Sequence, residues 1–126
     1  MGQILGQFCI NVTDLERSVH FWQDVCGIPL RSRTEIPTAL EAVLQADEGG
    51  SRIQLAQQKD QVGTIDMGGA MWKLYLNTDD CEALYDRCIA AGCESVSEPT
   101  QLDRWPVTVA FIKDPDGYLI ELVKQD

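Results

Sequence analysis

The chain repeats one pattern at an interval of about half its length, and this repeat constrains the fold more than any single motif does. The segments "SRIQLAQQ" and "YLIELVKQ" superpose, and each follows a glycine, Gly50 or Gly117. Earlier in each half, "INVTDLERSVHFW" aligns with "LYLNTDDCEALYD", so that Asp14 falls on Asp80. Self-similarity at a fixed interval indicates one structural unit used twice.

Each copy of the repeat has the pattern of a strand, a helix and three further strands. Residues 4 to 12 alternate between apolar and polar side chains, which is typical of a half-buried strand. A helix follows that begins after Thr13 or Asp14, keeps helical apolar spacing and ends at Gly27. The predicted strands of the first copy are 4–12, 30–35, 39–46 and 51–57, and the second copy has strands 70–78, 94–99, 107–113 and 118–124 with a helix over 81–91. We therefore predict an α+β fold of two βαβββ modules in a single domain 1–126, with module one at about 1–57, a connection at 58–69 and module two at about 70–126.

Composition excludes several classes of partner. The formal net charge of -10 repels phosphate backbones, so we expect no nucleic-acid partner. No apolar run approaches the roughly 20 residues that a membrane span needs, so we expect no membrane partner. The 5 cysteines are odd in number and lack CxxC spacing, which favours reduced thiols in a cytoplasmic protein.

Four polar side chains are predicted to converge on the face of the sheet away from the helices. In the last strand Ile120 and Leu122 take the helix side, so Glu121 points to the opposite face. The same parity places Gln54, Gln7 and Lys73 on that face of their own strands, with Lys73 predicted opposite Gln7 and Glu121 opposite Gln54. This row of polar side chains is the candidate functional site.

The repeat and two longer motifs resemble those of a known superfamily. The motifs are "VTDLERSVHFWQDVCGIPL" after the first strand and "AFIKDPDGYLIEL" at the end of the chain. They are similar to those of the glyoxalase, bleomycin-resistance and ring-cleaving dioxygenase superfamily, also called vicinal oxygen chelate proteins. The resemblance covers nearly the whole chain and implies a curved mixed sheet that forms a cup-shaped cavity.

Metalloenzymes of that superfamily hold a divalent ion through one residue from each of four strands, usually His or Gln, Glu, His and Glu. The resemblance carries these positions onto Gln7, Gln54, Lys73 and Glu121. Gln7 and Glu121 fit this pattern. The Gln54 amide is a weak substitute for the carboxylate at the second position, and the Lys73 ammonium has no lone pair to give to a metal. The only histidine, His20, lies on the first helix. We therefore expect no metal and no other cofactor.

The superfamily also has metal-free members, the bleomycin- and mitomycin-type resistance proteins. They are homodimers that sequester drugs without chemistry, and this chain resembles them in length, in acidity and in the "FW" pair of the first helix. The resemblance implies a homodimeric binding protein for a small, cationic or aromatic molecule, with a role in drug or antibiotic resistance. The predicted ligand-binding residues are Gln7, Cys9, Gln54, Lys73, Tyr75, Trp105 and Glu121.

The sequence leaves three alternatives to this hypothesis. Lys73 and Glu121 can form a structural salt bridge that only ties two strands together. The protein can be a metal-dependent lyase, isomerase or dioxygenase, with the ion held by Gln7, Gln54 and Glu121. It can also be a metal-free enzyme in which Lys73 or Glu121 carries a proton.

The remaining candidates are aromatic or sulfur-containing side chains. An exposed Trp105 would stack on a planar cationic ligand, although the same residue can simply pack in its loop. Trp22 lies at helical spacing from Val19 and Val25, and Trp72 shares the strand parity of Leu74, so both are predicted to lie in the core. Cys9 shares the face of Gln7, but no histidine lies at a matching position to activate it as a nucleophile.

Overall fold

The order of elements agrees with the predicted repeat. The computed structural model describes residues 2–126, and it contains eight strands and two α-helices, one of which continues into a π-helical segment. The elements are β1 (Phe8–Asn11), α1 (Leu15–Val19), the π-helical segment (His20–Val25), β2 (Leu30–Ile36), β3 (Ala39–Ala46), β4 (Gly49–Gln58), β5 (Leu74–Asn77), α2 (Cys81–Ala90), β6 (Glu94–Gln101), β7 (Val107–Lys113) and β8 (Leu119–Gln125). The α+β class and the two βαβββ modules are confirmed.

The chain divides into two compact units between Ile65 and Asp66, and each unit contains one four-stranded sheet. The hydrogen-bonded order is β1-β4-β3-β2 in the first unit and β5-β8-β7-β6 in the second. Each sheet is mixed, because the first strand pairs in parallel with the last strand of its unit and the other pairs are antiparallel. Phe8 lies opposite Ile53 in one parallel pair and Leu74 opposite Ile120 in the other.

The helix and the last strand of each unit begin at matching residues, an aspartate N-cap for the helix and a glycine turn for the strand. The Asp14 side chain accepts a hydrogen bond from the Arg17 amide, and Asp80 accepts one from Ala83, so both helices have an aspartate N-cap. The hairpin before the last strand contains Gly50 with φ 80° in one unit and Gly117 with φ 100° in the other. Glycine reaches this left-handed region without strain, which explains its recurrence.

The first helix differs from its predicted form. It is α-helical only over Leu15–Val19 and continues as a π-helix over His20–Val25, where the Cys26 amide bonds to the Phe21 carbonyl. The wider turn still buries the face that carries Phe21 and Trp22. Trp22 is 3% exposed, so its predicted place in the core is confirmed.

The core of each unit lies between its helix and one face of its sheet. Helix α1 packs on β3 and β4, and α2 packs on β6, β7 and β8. Cys81 and Cys88 are buried on α2 and form part of this core. Among residues 2–126, no helix has the length and apolar character that crossing a membrane requires.

Strands β1 and β5 are shorter than the alternation of side chains predicts. Each pairs with its parallel partner over four residues, Phe8–Asn11 and Leu74–Asn77, instead of the nine predicted for each. The alternation of side chains therefore extends beyond the hydrogen-bonded strand. This difference has a direct consequence for Trp72, which precedes β5.

Candidate functional site

In the first unit, the predicted site residues form an uncharged group on β1, on β4 and just before β1. The Gln7 side-chain amide donates to the Gln54 Oε1 at 3.5 Å, and Cys9 lies opposite Gln54 in the parallel pairing. Partial burial of the thiol, with a smaller contribution from the Glu41 charge, raises the pKa of Cys9 above its usual value. The thiol is therefore protonated at neutral pH and is a poor nucleophile.

In the second unit, the equivalent positions carry an ion pair. Lys73 Nζ lies 2.5 Å from Glu121 Oε1, and the two side chains are only 12% and 11% exposed. The hydrogen bond to Glu121 is the main cause that raises the pKa of Lys73, against the opposing effect of burial. Lys73 is therefore a permanent ammonium at neutral pH, and it is neither a general base nor a nucleophile in that state.

Three aromatic rings surround the Lys73 ammonium. Its Nζ lies 4.1 Å from the ring centroid of Trp72, 5.0 Å from that of Tyr75 and 5.4 Å from that of Phe111. Tyr75, Glu121 and Phe111 are paired in register across β5, β8 and β7, which puts their side chains on one face of the sheet. The cation thus lies within cation-π range of all three rings.

The ion pair lies in an open cleft of about 680 Å³ in the second unit. Trp72, Tyr75 and Trp105 line this cleft together with Lys73 and Glu121. The side chain of Trp105 is not packed in its loop but is 57% exposed, and the Arg104 guanidinium lies 5.3 Å from its ring centroid. Four of the seven predicted site residues, Lys73, Tyr75, Trp105 and Glu121, thus line one cavity.

Trp72 corrects the sequence analysis. It was predicted to lie in the core with Leu74, but it is 76% exposed and lines the cleft. Trp72 lies two residues before Leu74, where β5 begins, and it does not take the buried side that parity predicts, whereas Lys73 still faces Glu121. Phe111 was overlooked as well, although its alternation with the buried Ala110 and Ile112 on β7 indicates that it faces the same way as Glu121.

The sequence of residues 4–122 matches the family model of the Glyoxalase/Bleomycin resistance protein/Dioxygenase superfamily. The chain belongs to this superfamily. A relative from Vibrio cholerae, named a probable lactoylglutathione lyase, is 33% identical over 119 residues, which cover 91% of this chain and 86% of the relative. The resemblance stated from the motifs is therefore confirmed.

Two solved structures show the same fold. Glyoxalase I from Zea mays superposes with a TM-score of 0.81 and 24% identity over 94% of this chain, which spans only 43% of that longer protein. An antibiotic binding protein from Streptomyces superposes with a TM-score of 0.78 and 22% identity, with 100% and 99% of the two chains covered. At these identities the structures establish the fold alone.

The metal-binding pattern of the superfamily does not fit the side chains at these four positions. Lys73 cannot donate a lone pair while it is protonated, and it already occupies an oxygen of Glu121, the one carboxylate among the four. Gln7 and Gln54 supply neutral amide oxygens, which are weak ligands. Within residues 2–126, no three His, Cys, Asp or Glu side chains are grouped so as to hold an ion.

The seven predicted residues fall into two groups. Lys73, Tyr75, Trp105 and Glu121 share the cleft of the second unit, and Gln7, Cys9 and Gln54 lie together in the first. The convergence of both groups on a single ligand stays a prediction.

Proposed function

We propose that this superfamily member binds a small aromatic molecule, without a divalent metal, in the cleft beside Lys73 and Glu121. The observation that carries the proposal is the 2.5 Å ion pair between these two residues. A fixed ammonium stands at a position where the metalloenzymes of the superfamily place a ligand atom. The ammonium supplies positive charge there, as a metal would, and it adds hydrogen-bond donors, which a metal ion itself does not have.

The exposed aromatic side chains of the cleft support the proposal that the ligand is aromatic. Trp72, Tyr75 and Trp105 are 76%, 60% and 57% exposed although large apolar rings are usually buried. Concave sites lined by such rings and by a few polar groups are typical of small-molecule binding. The likeness of fold to an antibiotic binding protein supports an antibiotic or another drug as one class to screen.

A second candidate function is a metal-dependent lyase, and the names of the curated relatives favour it. The Vibrio cholerae relative is a probable lactoylglutathione lyase, and a lactoylglutathione lyase from Neisseria meningitidis is 29% identical over 92% of this chain. On this alternative, Gln7, Gln54 and Glu121 would hold the ion and Lys73 would have to leave Glu121. We place this function second because it requires a buried ion pair to be broken.

Metal analysis separates the two functions. The purified full chain is loaded with Ni²⁺, Zn²⁺, Mn²⁺ or Fe²⁺, desalted and measured by inductively coupled plasma mass spectrometry. We expect well below about 0.1 equivalent per chain for every ion, because Lys73 repels a second cation. Uptake of about one equivalent, together with turnover of lactoylglutathione, would establish the lyase and overturn our proposal.

A matched variant makes a negative result informative. Lys73→His replaces the ammonium with an imidazole, which ligates divalent metals readily. If Gln7, Gln54 and Glu121 converge as predicted, this variant gains uptake of Ni²⁺ or Zn²⁺ that the wild type lacks. Lys73→Arg keeps the positive charge and serves as the control that should gain none.

We also propose a homodimer in the cytoplasm, as the resemblance implies. Exposed apolar side chains support self-association, since Ile4 and Leu5 precede β1 with 79% and 100% of their surface exposed. Sedimentation velocity of the full chain checks this proposal. We expect a species of about 28 kDa, twice the 14.0 kDa of one chain, and a persistent monomer at micromolar concentration would contradict it.

A further inference from the structure

The charges around the cleft bear on which aromatic molecule it accepts. A cationic ligand is the obvious partner for exposed indoles, because a cation is attracted to the face of an aromatic ring within about 6 Å of its centroid. In this protein, however, each exposed indole already has a cation of the chain beside it. Lys73 Nζ lies 4.1 Å from the Trp72 centroid, and Arg104 Cζ lies 5.3 Å from the Trp105 centroid.

The acid in the cleft is also engaged. Glu121 is the only carboxylate among the described residues that line the cavity, and its Oε1 accepts from Lys73 at 2.5 Å. Its side chain is 11% exposed. A cationic ligand would therefore find no free carboxylate, and it would meet two like charges beside the rings on which it would stack.

A negatively charged ligand finds the opposite conditions. An ammonium has three N–H donors; on Lys73 one is donated to Glu121 and a second to the Tyr75 side chain, which leaves one for a ligand. Lys73 lines the cavity, so a donor directed into it would reach a carboxylate, phenolate or enolate oxygen of a stacked ring. The Arg104 guanidinium beside Trp105 adds positive charge at the loop before β7.

The net charge of -10 opposes any anion at long range, but it does not decide the preference inside the cleft. Salt at about 0.15 M screens charges beyond roughly 8 Å, whereas an oxygen in contact with Lys73 is much closer than that. Selectivity is therefore governed by the cations beside the rings.

We infer that the cleft selects planar aromatic ligands that carry a negative charge over equivalent ligands that carry a positive charge. This inference rests on the function proposed above and deepens it by naming the ligand class. The resemblance implies a cationic or aromatic ligand, and the contacts of Lys73 and Arg104 with the rings favour an aromatic anion over an aromatic cation.

The test uses three probes with one ring system: 2-naphthoate, 2-naphthalenemethanol and 2-naphthylmethylammonium. Each is titrated into the full chain at neutral pH and about 0.15 M salt, and the indole N–H resonances are followed by NMR. Trp72 and Trp105 report on the cleft, and the buried Trp22 is the internal control. We expect 2-naphthoate to bind at least about tenfold more tightly than the ammonium probe, with the alcohol between them.

Two variants test the physical cause. Lys73→Met frees the Glu121 carboxylate, so the preference should reverse toward 2-naphthylmethylammonium. The double variant Lys73→Met/Glu121→Gln removes both charges and should bring all three affinities within about threefold of one another. If either variant fails to fold, the wild-type ranking alone still decides the inference.

Each result has a distinct meaning. If no probe moves the Trp72 or Trp105 resonance at millimolar concentration, the proposed function fails and the inference fails with it. If all three probes bind the wild type equally, aromatic binding stands and charge selection is wrong. If the ammonium probe binds most tightly, a cationic ligand replaces the anionic ligand of our inference.

Discussion

The two units share a backbone plan but present different chemistry at equivalent positions. Where the first unit has Gln7, Cys9 and Gln54, the second has Lys73, Tyr75 and Glu121. The first group is neutral and joined by a 3.5 Å hydrogen bond, and the second holds an ion pair at 2.5 Å. The comparison teaches that the helix-facing side chains maintain the repeated fold, while the opposite face of each sheet is free to diverge.

The hairpin turns before the last strands differ in a similar way. "DEGG" in the first unit aligns with "DPDG" in the second, so Asp47 corresponds to Asp114. Asp47 is largely exposed and pairs with Arg31 at 2.7 Å. Asp114 is 4% exposed, and its Oδ1 accepts from the amides of Asp116 and Tyr118. The same residue type is thus a surface ion-pair partner in one unit and a buried turn residue in the other.

The largest effect should come from breaking the ion pair of the second unit. Lys73→Met leaves a mostly buried carboxylate on Glu121 without its partner, and we expect a loss of about 3 kcal/mol in the free energy of unfolding. Gln7→Met removes only a long hydrogen bond between exposed side chains, and it should cost about 0.5 kcal/mol or less. Urea unfolding at neutral pH measures both values.

A double variant controls this experiment. Lys73→Met/Glu121→Gln removes the unpaired charge, so it should recover most of the stability lost in Lys73→Met. If Lys73→Met costs under about 1 kcal/mol, the pair is solvated and the proposed difference between the units is much smaller than the geometry suggests.

A smaller effect should appear in the pH dependence of the second turn. Burial raises the pKa of Asp114 from 3.8 to about 6, despite the amides of Tyr118 and Asp116, which lower it, and with the charge of Asp116 adding to the rise. The folded state therefore binds this proton more tightly than the unfolded state does. Its contribution to stability is complete below about pH 4 and is lost as the pH rises to about 6.

The variant Asp114→Asn cannot titrate and isolates this contribution. The difference in unfolding free energy between wild type and Asp114→Asn should move in favour of Asn by about 2 to 3 kcal/mol between pH 4 and pH 7. Asp47→Asn is the matched control, and its effect at neutral pH should stay within about 0.5 kcal/mol because Asp47 lies in an exposed pair. A difference for Asp114→Asn that stays constant with pH would show that the carboxylate is not desolvated.

The smallest effect concerns a feature in which the units agree. Asp14 and Asp80 accept from the amides three residues ahead at 3.1 Å and 3.0 Å, so Asp14→Ala and Asp80→Ala should each cost about 1 kcal/mol. Asp86→Ala, on the exposed face of α2, is the control and should change stability by under about 0.5 kcal/mol. Thermal unfolding monitored by circular dichroism measures all three. Unequal costs at the two caps would mean that the π-helical segment alters the stability of the first helix.

The fold was predictable because its signals are local and occur twice. Alternating strands, aspartate N-caps and the glycines at positions 50 and 117 each specify one element, and the second copy checks the first. The site was less predictable, since strand parity holds one residue before β5, at Lys73, but not two residues before it, at Trp72. Parity placed Glu121 correctly, but it failed for Trp72, which precedes β5. The contact between Arg104 and Trp105 depends on a loop conformation that no pattern encodes.

The cation in this cleft is covalently part of the chain. A metal ion is lost to chelators and competes with other ions for its site, but the Lys73 ammonium cannot dissociate from the protein that carries it. If the proposed function is correct, ligand binding will not depend on the supply of any transition metal. The protein would then hold its ligand as firmly in a metal-starved cell as in a metal-replete one.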